Sequence, residues 1–101
     1  MSRARIAIPE PDLADFCRRN HIQRLSLFGS VLRDDFTPES DVDVLVEFEP
    51  GAHITLLGEA RIERELGELL GRNVDLVERI CLSKYIREEV FAEEEMLYVA
   101  A

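Results

Sequence analysis

Two aspartates, Asp41 and Asp43, introduce a run of valine and leucine that predicts a β-strand from Asp41 to Phe48. Side chains two residues apart on a strand point to the same face, so the two carboxylates are expected side by side, with Cβ atoms roughly 6 to 7 Å apart. Their mutual repulsion would be removed by a hard divalent cation, and Mg²⁺ favours carboxylate oxygens together with substrate phosphates. Taken alone, the pair is equally compatible with a solvated Asx-type turn that leads into the strand.

A Gly-Ser step precedes these aspartates, directly after the apolar stretch Ile22 to Phe28, which predicts another strand. Gly29 permits a tight turn and the close approach of a ligand. Ser30 begins a short helical segment whose free backbone N–H groups, together with the Ser30 hydroxyl, suit a phosphate. Arg33 lies one turn further and can reach phosphate oxygens through its planar guanidinium. An ion pair between Arg33 and Asp35 is the alternative.

A third aspartate, Asp75, lies within a further predicted strand, Asn73 to Glu78, between aliphatic neighbours. Burying its carboxylate would require a cation or several hydrogen-bond donors nearby. If this strand pairs with the strand that carries Asp41, Asp75 completes a cluster of three carboxylates. It would then serve as a metal ligand or as the general base for an acceptor hydroxyl. An ion pair of Asp75 with Arg72 or Arg79 is the alternative.

The elements that must position these side chains follow from periodicity and capping signals. Further segments are predicted to be a helix that starts near Pro9 and is closed by Arg18, Arg19 and His21, a helix from about Thr55 to Leu70 with a C-cap at Gly71, a helix that Ser83 caps and that runs to about Ala92, and a short last strand from Met96 to Val99. Strand, helix and strand in succession imply a crossover helix packed on the sheet. The expected fold is therefore α/β of the α+β type, with a small mixed sheet of three to four strands flanked by helices in a single domain, residues 1–101.

Acidic residues outnumber basic ones, 21 to 12, and the net charge of −9 disfavours direct binding of nucleic acid. This charge suits a basic protein partner instead, so a hetero-oligomer is expected. The two cysteines, Cys17 and Cys81, lack the spacing of a metal site or a disulfide framework, and both are predicted to be buried apolar groups. Neither a signal peptide nor a membrane span is recognisable, so a cytoplasmic protein is expected.

The combined motif is Gly29-Ser30, ten intervening residues, and then Asp41-x-Asp43. It resembles the minimal nucleotidyltransferases of the polymerase-beta-like superfamily, which are often paired with a HEPN-domain toxin, and the resemblance covers nearly the whole chain. It implies a nucleotidyltransferase-like fold, a divalent metal and a nucleoside triphosphate substrate, and Asp75 matches the third acidic position of the family. In toxin-paired members it also implies antitoxin activity by AMP transfer to the HEPN partner. The chain departs from the family at Asp34, where relatives often have glycine.

The hypothesis from the sequence is a metal-dependent nucleotidyltransferase that moves AMP from ATP onto a hydroxyl, expected to be a tyrosine's, of a HEPN ribonuclease toxin. Its assigned residues are Gly29, Ser30 and Arg33 for the triphosphate and Asp41, Asp43 and Asp75 for two Mg²⁺ ions. One alternative is an antitoxin that neutralises its toxin by binding alone. Another is an enzyme that modifies a small hydroxylated compound.

Overall fold

Three helices and four strands make up the regular structure in a computed structural model that describes residues 6–33 and 36–100. In chain order they are helix α1 (Glu10–Arg19), strand β1 (Ile22–Phe28), strand β2 (Val42–Phe48), helix α2 (Leu56–Leu70), strand β3 (Val74–Glu78), helix α3 (Arg87–Glu93) and strand β4 (Glu95–Val99). Short 3₁₀ helices follow β1 and β3, at Gly29–Leu32 and Arg79–Cys81. No helix within the described residues has the length and apolar character needed to cross a membrane.

The strands form one sheet in the order β3-β2-β1-β4. Strand β1 runs antiparallel to both β2 and β4, whereas β2 and β3 are parallel. Parallel neighbours cannot be joined by a hairpin, and α2 supplies the crossover between them. The predicted mixed sheet flanked by helices is therefore confirmed, as is the pairing of the strand that carries Asp75 with the strand that follows Asp41.

The sheet separates a large apolar core from a smaller one. The larger core joins α1 and α2 to one face of the sheet, and its fully buried side chains include Leu13, Cys17, Ile62, Leu66, Val42, Val44 and Val46. The smaller cluster, on the other face, consists of Leu45, Leu82 and Val90, with Phe28 and Val77 packed against it. Because side chains alternate along β2, Asp43 shares the face of Leu45 and of the smaller cluster.

Helix α2 has clear start and stop signals. The Oγ1 of Thr55 accepts a hydrogen bond from the Gly58 amide at 2.9 Å, and Gly71 ends the helix in the left-handed conformation with φ of 69°. The C-cap at Gly71 agrees with the sequence prediction, since glycine adopts positive φ without steric cost, and the N-cap at Thr55 lies where the helical pattern was predicted to begin.

Two expectations about the C-terminal third were wrong. Helix α3 begins at Arg87, because Ser83 instead closes a turn in which its Oγ accepts from the Tyr85 amide at 3.2 Å. Cys81 is exposed, since it lies in a 3₁₀ helix that buries none of its side chains, whereas Cys17 is buried as expected. The predicted last strand is present as β4. The departure at Asp34 and the alternative partner Asp35 lie outside the described residues.

Candidate active site

Asp43 and Asp75 lie directly opposite each other on neighbouring strands. In the parallel pairing of β2 with β3, Asp43 is the register partner of Asp75. Register partners in a sheet point to the same face, so both carboxylates are on the side of the smaller apolar cluster. Asp43 is half-buried, whereas Asp75 is exposed. The sheet thus brings together two acids that are 32 positions apart in the chain.

Asp41 lies one residue before β2, and its side chain is exposed. Its segment is held in place from both sides. The amide of Val42 donates to the carbonyl of Asn73 at 2.8 Å, and the guanidinium of Arg72 donates to the carbonyl of Ser40 at 3.0 Å. The sequence had offered Arg72 as an ion-pair partner of Asp75, but its observed role is to anchor the loop that leads to Asp41.

The other proposed partner of Asp75, Arg79, is also engaged elsewhere. Its NH1 donates to Glu94 Oε2 at 2.8 Å, and its guanidinium carbon lies 4.3 Å from the centre of the Phe91 ring. Within residues 6–33 and 36–100, neither arginine pairs with Asp75, whose exposed carboxylate lies next to Asp43 on the face of the smaller apolar cluster.

The Gly-Ser turn lies against the carboxylate of Asp43. Gly29 has φ of 77°, a conformation that side-chain-bearing residues rarely adopt. A Cβ placed on Gly29 would overlap Oδ2 of Asp43, so a hydrogen at this position is required for the carboxylate to lie where it does. The antiparallel register explains this proximity, because Phe28, the residue before Gly29, pairs with Asp43. Ser30 is half-buried at the second position of the 3₁₀ helix.

The environment of Asp43 disfavours its charged form. Burial raises the pKa of Asp43 above the ordinary value, and the nearby carboxylates of Asp75 and Asp41 raise it further. The guanidinium of Arg33 acts in the opposite direction and lowers that pKa. The three aspartates predicted from the sequence are therefore close enough to interact electrostatically.

Arg33 makes an ion pair that the sequence did not indicate. Its NH2 donates to both carboxylate oxygens of Glu93, at 2.8 and 3.0 Å, and the Gly29 amide donates to Glu93 Oε1 at 3.2 Å. Glu94, the next residue, accepts from Ser26 Oγ at 2.6 Å and from Arg79. An acidic run at a helix C-terminus opposes the helix dipole, and that conflict was the one signal for these contacts in the sequence.

The donor set is all oxygen, as Mg²⁺ prefers, and a cation would offset both the burial of the Asp43 carboxylate and its repulsion by Asp75 and Asp41. Within residues 6–33 and 36–100, no group of three or more His, Cys, Asp or Glu side chains is placed so that it could hold a metal ion. Mg²⁺ is commonly held by one or two protein carboxylates plus substrate phosphates, so two aspartates in register fit such an ion when nucleotide supplies the remaining oxygens. The three-carboxylate metal site stays a prediction.

Comparison with known families agrees with this geometry. Residues 11–99 match the nucleotidyltransferase domain family. The chain belongs to the nucleotidyltransferases. This nucleotidyltransferase is 38% identical to the protein adenylyltransferase MntA of Thermococcus cleftensis over 72 residues. The aligned region covers 71% of each of the two chains. That relative confirms the predicted membership of the minimal nucleotidyltransferases.

Solved structures show the same fold for the nucleotidyltransferase. A toxin–antitoxin structure with AMP-PNP superposes with a TM-score of 0.72 at 22% identity, covering 92% of this chain and 75% of that one. A second structure contains a tri-AMPylated HEPN toxin of Shewanella oneidensis in complex with its MNT antitoxin. Its TM-score is 0.64 at 22% identity, with coverage of 90% and 70%. At this identity the two structures support the fold.

Proposed function

We propose that this nucleotidyltransferase transfers AMP from ATP to a hydroxyl of a HEPN-domain toxin and so acts as its antitoxin. The observation that carries the proposal is the pairing of Asp43 with Asp75, together with the contact of Asp43 with Gly29. No residue with a Cβ could replace Gly29 there without displacing the Asp43 carboxylate. The relative named protein adenylyltransferase MntA and the solved complex of an AMPylated HEPN toxin with its antitoxin give the class of reaction and the class of acceptor.

In this proposal Gly29, Ser30 and Arg33 bind the triphosphate through a backbone amide, a hydroxyl and a guanidinium. Asp41, Asp43 and Asp75 would hold two Mg²⁺ ions together with the phosphates of the nucleotide, and such ions would offset the negative charge that builds up around the α-phosphorus. The acceptor oxygen forms a bond to the α-phosphorus while the bond to the β-phosphate oxygen breaks, and pyrophosphate leaves. The hydroxyl proton passes to a carboxylate, and exposed Asp75 is the candidate to receive it.

The acceptor has to be supplied by another molecule. The site opens on the sheet face that carries only the smaller apolar cluster, so a partner can approach the carboxylates from that side. The net charge of −9 favours a basic partner, which suits a ribonuclease that itself binds RNA. A hetero-oligomer with the toxin follows, and the cytoplasmic location stays a prediction.

The direct test incubates the purified chain with α-labelled ATP, Mg²⁺ and a HEPN toxin encoded beside it, and measures label on the toxin. We expect transfer by the wild type, and a decrease of at least about 100-fold for Asp43→Asn, the scale seen when one electrostatic stabiliser is removed. Asp12→Asn is the matched control, because it makes the same chemical change at an exposed position of α1.

The binding-only alternative predicts a different outcome. The toxin would then be neutralised stoichiometrically without ATP, no label would be transferred, and Asp43→Asn would neutralise as well as the wild type. That combination of results would contradict the enzymatic proposal.

A further inference from the structure

Glu93, the last residue of α3, contacts two of the three residues proposed to bind the triphosphate. Its Oε1 accepts from the Gly29 amide at 3.2 Å and from Arg33 NH2 at 2.8 Å, and its Oε2 accepts from the same NH2 at 3.0 Å. The Glu93 side chain is 30% exposed and that of Arg33 is 53% exposed, so the contact lies at the mouth of the site.

A carboxylate in this position resembles a phosphate in what it offers to its partners. Both present oxygens that carry negative charge, and both are recognised by backbone amides and by the planar donors of a guanidinium. The Gly29 amide carries one hydrogen, so it cannot make a full hydrogen bond to Glu93 and to a phosphate oxygen together. Triphosphate bound at Gly29 and Arg33 would also lie next to the Glu93 charge and be repelled by it.

The fold itself does not depend on this contact. The adjacent Glu94 already joins the end of α3 to the sheet, because it accepts from Ser26 on β1 and from Arg79. Val90 packs the same helix into the smaller apolar cluster. A glutamate at a helix C-terminus also opposes the helix dipole. Loss of the Glu93 charge should therefore leave the protein folded.

We propose that Glu93 occupies the triphosphate position in the nucleotide-free protein and has to be displaced before ATP can bind. This inference rests on the proposed function, because it takes Gly29 and Arg33 as the residues that bind the triphosphate. Glu93 then sets the affinity for nucleotide, and its return after the reaction favours release of pyrophosphate.

Isothermal titration calorimetry with a non-hydrolysable ATP analogue and Mg²⁺ tests the proposal. We expect Glu93→Gln to bind the analogue about three- to tenfold more tightly than the wild type, since the variant lacks the charge that repels the triphosphate and its neutral carbonyl oxygen competes less strongly for Arg33 and for the Gly29 amide. Glu89→Gln is the matched control, because it removes the same charge from an exposed position of α3, and its dissociation constant should stay within about twofold of the wild type.

If Glu93→Gln fails to fold, Glu93→Asp replaces it, since the shorter side chain keeps the charge but draws the carboxylate away from the Gly29 amide. This variant is also expected to bind the analogue more tightly than the wild type. Binding by Glu93→Gln that is equal to or weaker than that of Glu89→Gln would overturn the inference and leave the proposed function intact. Absence of binding by the wild type and by every variant would overturn both.

Discussion

Gly29→Ala should separate the folding role of this glycine from its catalytic role. Gly29 has positive φ, and a Cβ there would overlap Oδ2 of Asp43. Gly51 offers a matched position, because its φ is 85° and a Cβ on it would meet no atom within 4 Å. Gly51→Ala thus measures the cost of the backbone conformation alone, and Gly29→Ala adds the displacement of one carboxylate.

The expected magnitudes differ between stability and activity. Alanine in the left-handed region costs about 1 to 2 kcal/mol at either site. Relief of the overlap at Gly29 requires the Asp43 side chain to rotate, and a strained rotamer costs about 0.5 to 1.5 kcal/mol. The two variants should therefore differ in free energy of unfolding by no more than about 1.5 kcal/mol. A displacement of a catalytic group by about 1 Å can cost roughly 100-fold in rate, so AMP transfer should fall by that factor in Gly29→Ala alone.

Urea denaturation at neutral pH gives the two free energies of unfolding, and transfer of labelled AMP to the toxin gives the two rates. The reasoning would be refuted if Gly29→Ala transferred AMP at the rate of Gly51→Ala. Equal rates that are both reduced would mean that the backbone conformation, and not the position of Asp43, is responsible for the loss of activity.

Three further outcomes are expected. Asp43→Asn should raise the free energy of unfolding at pH 7 by a few tenths to about 1 kcal/mol, the range for like charges opposed on neighbouring strands. Burial and nearby carboxylates raise the pKa of Asp43 in the folded wild type, so this gain should shrink as the pH falls and the wild-type carboxyl becomes protonated. Glu94→Gln should lower the free energy of unfolding by about 2 kcal/mol in chemical denaturation, because it removes the charge from a mostly buried ion pair. Glu47→Gln, in a pair that is more exposed, should lower it by less than about 1 kcal/mol. Burial raises the pKa of Glu94, but hydrogen bonds from its arginine and serine partners outweigh this and leave the pKa lowered, so the stabilisation is present above the unfolded-state pKa and is lost as pH falls through the folded-state value. Iodoacetamide should label exposed Cys81 in the folded protein, and Cys17 only in denaturant, since burial raises the pKa of the Cys17 thiol to about 12; labelling of both at equal rates in the native state would contradict the described core.

The site combines residues that are unfavourable for the stability of the fold with a strand that is firmly packed in the core. Asp43 faces like charges, and Gly29 occupies a conformation that other residues avoid. Around them, Val42, Val44 and Val46 are fully buried on the opposite face of β2 and fix the strand that carries Asp43. A rigid strand beneath a cluster of like charges is the arrangement expected where binding of a cation or substrate, and not folding, determines which residues are present.

Much of the fold could be predicted because local patterns agreed with the final packing. Alternation of apolar residues located β2 to within one residue, and helical periodicity with Gly71 as the C-cap located α2 to within one residue. Helix α3 was predicted to start three residues too early, because Ser83 is a good N-cap in isolation but the observed N-cap is Ile86. Only the three-dimensional structure shows that the Ser83 hydroxyl accepts a hydrogen bond within a turn. The exposure of Cys81 was missed for a similar reason, since composition does not reveal which side of a 3₁₀ helix meets the core.

The sequence by itself picked out the residues that we propose for the chemistry: the Gly29-Ser30 turn, Arg33 and the three aspartates stand out by type and spacing. Only the tertiary structure decided how they meet, because the register between β2 and β3 places Asp43 opposite Asp75, and the register between β1 and β2 places Gly29 against Asp43. Strand pairing depends on the burial of whole faces and not on any local motif. For the same reason no pattern within α3 could reveal that the Glu93 carboxylate accepts a hydrogen bond from the Gly29 amide, since that contact joins residues 64 positions apart.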